Sequence, residues 1–413
     1  MNILKEVLKH EVQPAMGCTE PVAVALACSR ALLQAIKEAA PGEKITVTKI
    51  RVMVNSGVFK NGLGVCIPNT NGQKGLAIAA ALGAICGDPS LKLELLKSVE
   101  PRHVSEAKKL IETGGVEISV NPEWRSLHIE AEVETNFGQG SAMSQGSHAS
   151  EDRVYRDALA KMSIAEIVAL LERNCRKDYQ YIQKGIDMNL ALSAAGLKLP
   201  KTGSNLELMR RKGFLGNDVV NATKILTAAA TDARMAGVNL SAMSSGGSGN
   251  QGIVAILVPY NVGIWEKVRS RNILKSIALS HLINAYIKCY VGDLAPVCGC
   301  GIAAGAGAAA AIVFQKNQHP EIIGLAIKNV VADIAGLICD GAKGGCSMKV
   351  VSATDSAIRS AQFALNNYGF KESDGIVGKT AEETIKNLGR VVTESMSEVD
   401  NTILSILNGK TAS

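Results

Sequence analysis

Residues 294–314, LAPVCGCGIAAGAGAAAAIVF, run for 21 residues without a charge. That length matches a membrane-spanning helix. The composition points elsewhere. Ala and Gly dominate, Pro296, Cys298 and Cys300 crowd its start, and mean hydropathy over the whole chain is only +0.14. We therefore read it as a small-residue helix buried in a protein core, with no membrane as partner. The fold follows from that reading: a helical core built from Ala, Val, Ile, Leu and Gly, in which backbones approach closely.

The bulk numbers agree. The chain has 413 residues, 47% hydrophobic, 4% aromatic and 20% charged, with 40 Gly. Such hydrophobicity excludes intrinsic disorder. Ten Cys in this length exclude a disulfide-stapled scaffold. The net charge of +6 is spread out; Arg210-Arg211-Lys212 and Arg269/Arg271 are short, isolated groups. A nucleic-acid binder would cluster such charges with stacking aromatics, so no nucleic-acid partner is expected. The N-terminal MNILKEVLKHEVQP lacks the apolar core of a signal peptide. A cytoplasmic location is expected, where thiols stay reduced.

Outward from 294–314 the fold class reads as α+β. Helices are expected at 19–37, 75–86, 91–99, 104–113, 165–174, 179–196, 218–235, 273–291, 301–314, 321–339, 352–367 and 380–407. Alternating β-branched residues predict a strand at 44–55 (KITVTKIRVMVN) and a short one at 64–68. Segments 116–121 and 127–134 read as a strand pair. The simplest organisation is a mainly helical domain, 1–42 plus 161–413, interrupted by an α/β domain at 43–160.

Three motifs carry chemistry. Cys298, Cys300, Cys339 and Cys346 lie within 49 residues, the last two flanking the Gly-rich loop of CDGAKGGC. Glycine beside thiolates lets backbone N–H groups reach metal-bound sulfur. The spacing matches neither a paired-CxxC zinc site nor a ferredoxin run. On spacing alone an iron–sulfur site, a zinc site and plain buried cysteines all stand. The second motif, Gly17-Cys18-Thr19-Glu20-Pro21, puts Cys18 at a helix N-terminus, where the dipole favours thiolate. The third is Ser244-Ser245-Gly246-Gly247-Ser248-Gly249-Asn250-Gln251-Gly252, a loop opening an apolar helix. Its hydroxyls and free N–H groups suit a small carboxylate. It lacks the Gly-Lys-Ser/Thr ending of a nucleotide loop. Asn55, at the end of the first strand, offers an amide to a cleft. His148, in a polar loop, is a weaker candidate.

Together these motifs resemble the L-cysteine desulfidase family, which is related to the iron–sulfur-dependent L-serine dehydratases. GCTEP, SGGSGNQG, CGCGIAAGAGAAAA and ICDGAKGGC occur in the family's order across nearly the whole chain. The resemblance implies a [4Fe–4S] cluster held by three cysteines with one iron open. Its implied ligands are Cys298, Cys339 and Cys346, with Cys18 catalytic or in the fourth position. It also implies α,β-elimination of L-cysteine to pyruvate, ammonia and hydrogen sulfide. Where the family often carries His-Thr-Asn, this chain has His148-Ala149-Ser150. The expected site is then Cys18, Glu20 and Lys343 for catalysis. Thr19, Asn55, Ser244, Ser245, Gly247, Ser248, Gly249, Asn250 and Gln251 bind the amino-acid substrate, with Cys18 as thiolate taking the Cα proton. An L-serine dehydratase with the same cluster and a structural zinc protein are the alternatives. The oligomeric state is left open, a homodimer included.

Overall fold

In the computed structural model the 294–314 stretch is a short break followed by helix. Residues Cys300–Gly305 form a π-turn that runs into an α-helix, Ala306–Lys316. Every residue from Gly301 to Phe314 is buried, as a small-residue core helix requires. Among the described residues no single helix is long and apolar enough to cross a membrane. The structure describes residues 2–124, 127–145, 150–173 and 176–411. His148 lies outside them.

The chain opens with α1 (Ile3–His10), β1 (Pro14–Met16) and α2 (Thr19–Ala35). Next come β2 (Val47–Asn55), α3 (Ser56–Leu63), α4 (Leu76–Cys86), a 3-10 segment at Pro89–Ser98 and α5 (Pro101–Glu112). Strands β3 (Val116–Asn121), β4 (His128–Thr135) and β5 (Gln139–Gln145) follow. The helical part then runs through α6 (Ser150–Ala160), α7 (Ile164–Ala169), α8 (Arg176–Gly196), α9 (Thr202–Arg211) and α10 (Val219–Met235). After β6 (Ser241–Met243) come α11 (Gly249–Trp265), α12 (Ser270–Val291) and α13, the Ala306–Lys316 helix. Helices α14 (Pro320–Ile334), α15 (Cys346–Leu365), α16 (Ala381–Arg390) and α17 (Ser397–Thr411) complete it. The molecule is mostly helical with a small mixed sheet, an α+β fold.

Two apolar cores divide it. The larger is built from α1 and the helices from α6 to α16. The smaller packs α2 and α4 against one face of the sheet β3-β2-β4-β5. Period-two alternation sends Ile50, Val52 and Val54 of β2 into this core. Lys49 and Arg51 face solvent, where they meet Glu117, Glu132 and Glu134 across the strands. Core membership crosses residues 43 and 160. Helix α2 joins the sheet core, and Tyr155 and Leu159 of α6 join the helical one.

Several expectations need correction. Segments 116–121 and 127–134 are strands but not partners: β2 lies between them, parallel to β3 and antiparallel to β4. Residues 64–68 form no strand; α3 fills the segment before them, and Cys66 makes one isolated bridge to Lys74. The helix expected to reach 339 stops at Ile334, because Cys339 is drawn into an extended contact with Pro296. The 380–407 helix is broken by a π-turn at Val391–Ser395.

Candidate functional site

Two short pairings assemble the motifs. β1 and β6 run antiparallel, with Ala15 opposite Ala242. Each strand is followed at once by a motif, so Gly17–Glu20 and Ser244–Gln251 emerge side by side. Gly17 turns the chain with φ +67°, and a Cβ there would lie 2.6 Å from Pro68; only glycine fits this turn without strain. The second pairing is an isolated bridge between Val297 and Ile338. Cys298 N–H donates to the Leu337 carbonyl (2.7 Å) and Cys339 N–H to the Pro296 carbonyl (2.6 Å). Residues 41 apart in sequence thus become neighbours. Cys346 begins α15, and the Lys343 N–H donates to its Sγ at 3.4 Å.

These elements enclose a cavity of about 250 Å³. Cys18, Cys298, Cys300, Cys339 and Cys346 all line it, with Thr19, Glu20, Gly247, Ser248, Asn250 and Gln251. The N-termini of α2, α11 and α15 converge there, and their dipoles and unbonded N–H groups favour anions. Thr19 Oγ1 donates to the Gly247 carbonyl (3.1 Å), tying two motifs together.

Not every expected site residue faces this space. Ser244 is buried; its Oγ accepts from Gln13 N–H and donates to the Glu11 carbonyl. The Ser245 hydroxyl meets His281 Nδ1 and Asn284 Nδ2, both at 2.8 Å. Burial pushes His281 down to about 3, so the imidazole under the loop is neutral. Gly249 packs against Arg234. Asn55 lines an adjoining cavity of about 330 Å³ with Ser56, Trp124 and Asp400. Lys343 is off the cavity, paired with Asp340 at 2.5 Å.

Cys18 corrects a firmer expectation. It does cap α2, but the thiol stays protonated. Burial and then the Glu20 charge push it well above its ordinary range, outweighing the helix dipole. Sγ donates to Glu20 Oε2 at 2.9 Å, and Glu20 Oε1 accepts from Asn61 Nδ2 at 2.7 Å.

The other thiols differ among themselves. A hydrogen bond from Cys300 brings Cys298 down to about 6 and leaves Cys300 raised. Burial raises Cys339 and Cys346. Two lysines that sequence reasoning missed offset thiolate charge. The positive charge of Lys349 favours thiolate at Cys298, and that of Lys60 does so at Cys339. Lys60 is buried, donates to the Cys339 carbonyl (2.8 Å) and pairs with Asp400 of α17 (2.5 Å). A charged residue inside an otherwise apolar or Gly-rich helix was the only local signal for it.

Among the described residues no three His, Cys, Asp or Glu side chains gather tightly enough to hold one metal ion. A group held by several thiolates fits the cysteines that line the cavity.

A mostly helical α+β protein whose thiols and helix N-termini line one cavity is suited to anion-binding metallocentre chemistry. Residues 90–405 match the family model described as serine dehydratase alpha chain. The chain belongs to that family, which relates it to the iron–sulfur serine dehydratases, a class of lyases. It is 47% identical to a UPF0597 protein of Geobacter sulfurreducens, covering 98% of both chains. It is 45% identical to a UPF0597 protein of Elusimicrobium minutum, over 99% of this chain and 100% of the other. A UPF0597 protein of Desulfatibacillum aliphaticivorans is 37% identical over 98% of this chain and 97% of the other.

Proposed function

We propose that the chain is an L-cysteine desulfidase, a cytoplasmic carbon–sulfur lyase that depends on a [4Fe–4S] cluster. The observation that carries this is the gathering of five thiols, Glu20 and the Gly/Ser loop around one cavity. Cys298, Cys339 and Cys346 would hold the cluster. Cys298 is preferred over Cys300 because its distance along the chain to Cys339 resembles the spacing in the serine dehydratases. When bound, the cluster supplies a Lewis-acidic iron for the departing sulfur, a soft partner for a soft ligand.

The protein's own residues do the rest. Gly247, Ser248, Asn250 and Gln251 line the wall where the substrate carboxylate sits. Glu20, fixed by Asn61, accepts the Cys18 thiol proton at Oε2. The thiolate so formed takes the Cα proton. The C–H electron pair becomes the Cα=Cβ bond, and the Cβ–S bond breaks with its pair on sulfur. The released 2-aminoacrylate tautomerises to an imine, and water converts it to pyruvate and ammonia.

L-Serine is the second reading, favoured by the family match. Anaerobic assay with L-cysteine and L-serine side by side, following sulfide and pyruvate, separates them. Sulfide and pyruvate in equal amounts from cysteine are expected. Pyruvate from serine alone would transfer the assignment to a serine dehydratase.

A further inference from the structure

Arg234 ends α10, is 2% exposed, and lines the cavity beside Cys18 and Asn250. Nη1 donates to Asn250 Oδ1 at 3.0 Å, the one hydrogen bond this guanidinium makes among the described residues. Nε is buried and has no acceptor. No carboxylate pairs with it among the described residues. Asp232, two residues earlier, accepts from the Gly203 N–H instead.

The other charges on the cavity wall are already matched. Arg156 pairs with Glu11 and Asp293, Lys288 with Asp293, and Lys349 with Asp340. Glu20 is held by Cys18 and Asn61. Arg234 alone among these cations keeps its charge uncompensated. Burying a guanidinium without a counter-charge is costly, and an arriving anion removes that cost.

The unpartnered edge also has the right shape. Elsewhere in this chain Arg210 clasps Glu207 side-on, Nε and Nη2 each 2.8 Å from a carboxylate oxygen. Arg234 leaves that same edge unused, while Asn250 holds the opposite nitrogen. Gly249, the first residue of α11, makes room for the guanidinium itself: a Cβ there would lie 2.3 Å from Nε.

We propose that Arg234 binds the substrate's α-carboxylate, with Asn250 fixing the guanidinium plane. This rests on the amino-acid reading above. It makes Arg234 the residue that separates amino acids from their amides.

The test measures binding to anaerobically purified protein by titration and by shift in thermal midpoint. Wild type, Arg234→Gln and Arg234→Lys are each given L-cysteine, L-serine, propionate and L-cysteinamide. The wild type should prefer L-cysteine to the amide. Arg234→Gln should weaken the two amino acids by roughly 10- to 100-fold, the range for a lost charge-assisted pair, and abolish that preference. Arg234→Lys should keep part of it, and decides the matter if the Gln variant does not fold. Wild-type binding of the amide as tight as of the acid would overturn the proposal. So would an Arg234→Gln variant that binds like wild type. Propionate bound as tightly as the amino acids would leave Arg234 in place and overturn the amino-acid reading instead.

Discussion

Cys18 stands at the N-terminus of α2, where the helix dipole favours a thiolate. The dipole acts weakly over one turn; desolvation and a carboxylate at hydrogen-bond distance act strongly on a buried thiol, and they prevail. The result is a proton held on Sγ and hydrogen-bonded to Glu20 Oε2. Glu20→Gln removes the acceptor but keeps the shape and the bond from Asn61. The turnover rate should fall roughly 10²- to 10⁴-fold, the span of general acid–base catalysis. The thermal midpoint should be unchanged. A rate near wild type would remove the Cys18–Glu20 pair from the mechanism. That Cys18 and Glu20 open one helix was legible in GCTEP itself. The protonation of Cys18 was not, because it depends on burial, which is not local.

At the scale of elements, the site is held by short contacts rather than by long helices. The β1–β6 pair and the Val297–Ile338 bridge carry the motifs into register. Lys60 of α3 adds a third tie, joining the Cys339 carbonyl to Asp400 of α17. Lys60→Met leaves Asp400, which is mostly buried, without its partner. Breaking a buried pair costs about 3–5 kcal/mol, so the urea midpoint should drop. Lys60→Met combined with Asp400→Leu should recover most of the stability, since neither charge is left alone. A single variant as stable as wild type would show that this tie bears no strain. The major helices were legible from apolar runs and Gly/Pro breaks. The pairings were not, because three-residue strands and single bridges have no periodicity to read.

For the whole molecule, the buried thiols and the buried imidazole set a window of stability. Burial pushes Cys28 and Cys289 up to about 12 and, with nearby acidic charges, Cys86 up to about 11, from an ordinary 9.0. Above pH 9 the unfolded chain releases these protons while the native state keeps them, so stability falls as pH rises toward 12. His281 is held neutral down to about 3 against an ordinary 6.5. Below 6.5 the unfolded chain gains a proton that the native state refuses, so stability falls on the acid side as well. Urea midpoints under reducing conditions should therefore be highest between about pH 6.5 and 9. Cys28→Ala should flatten the basic limb. A midpoint still climbing beyond pH 9 would contradict the burial of these groups.

By itself the sequence determined the α+β class, the buried helix in 294–314, and the three motifs that meet at the cavity. Such features are written in near neighbours: apolar spacing, helix caps, glycine turns and cysteine pairs. Only the tertiary structure decided that β2 separates β3 from β4, that Cys300 accompanies the proposed cluster ligands, and that Lys349 and Lys60 join Lys343 near the thiols. It also decided that Arg234 is buried, charged and unmatched beside the Gly/Ser loop. Charge and protonation depend on distance through space and on lost water, and those quantities exist only once the chain has folded.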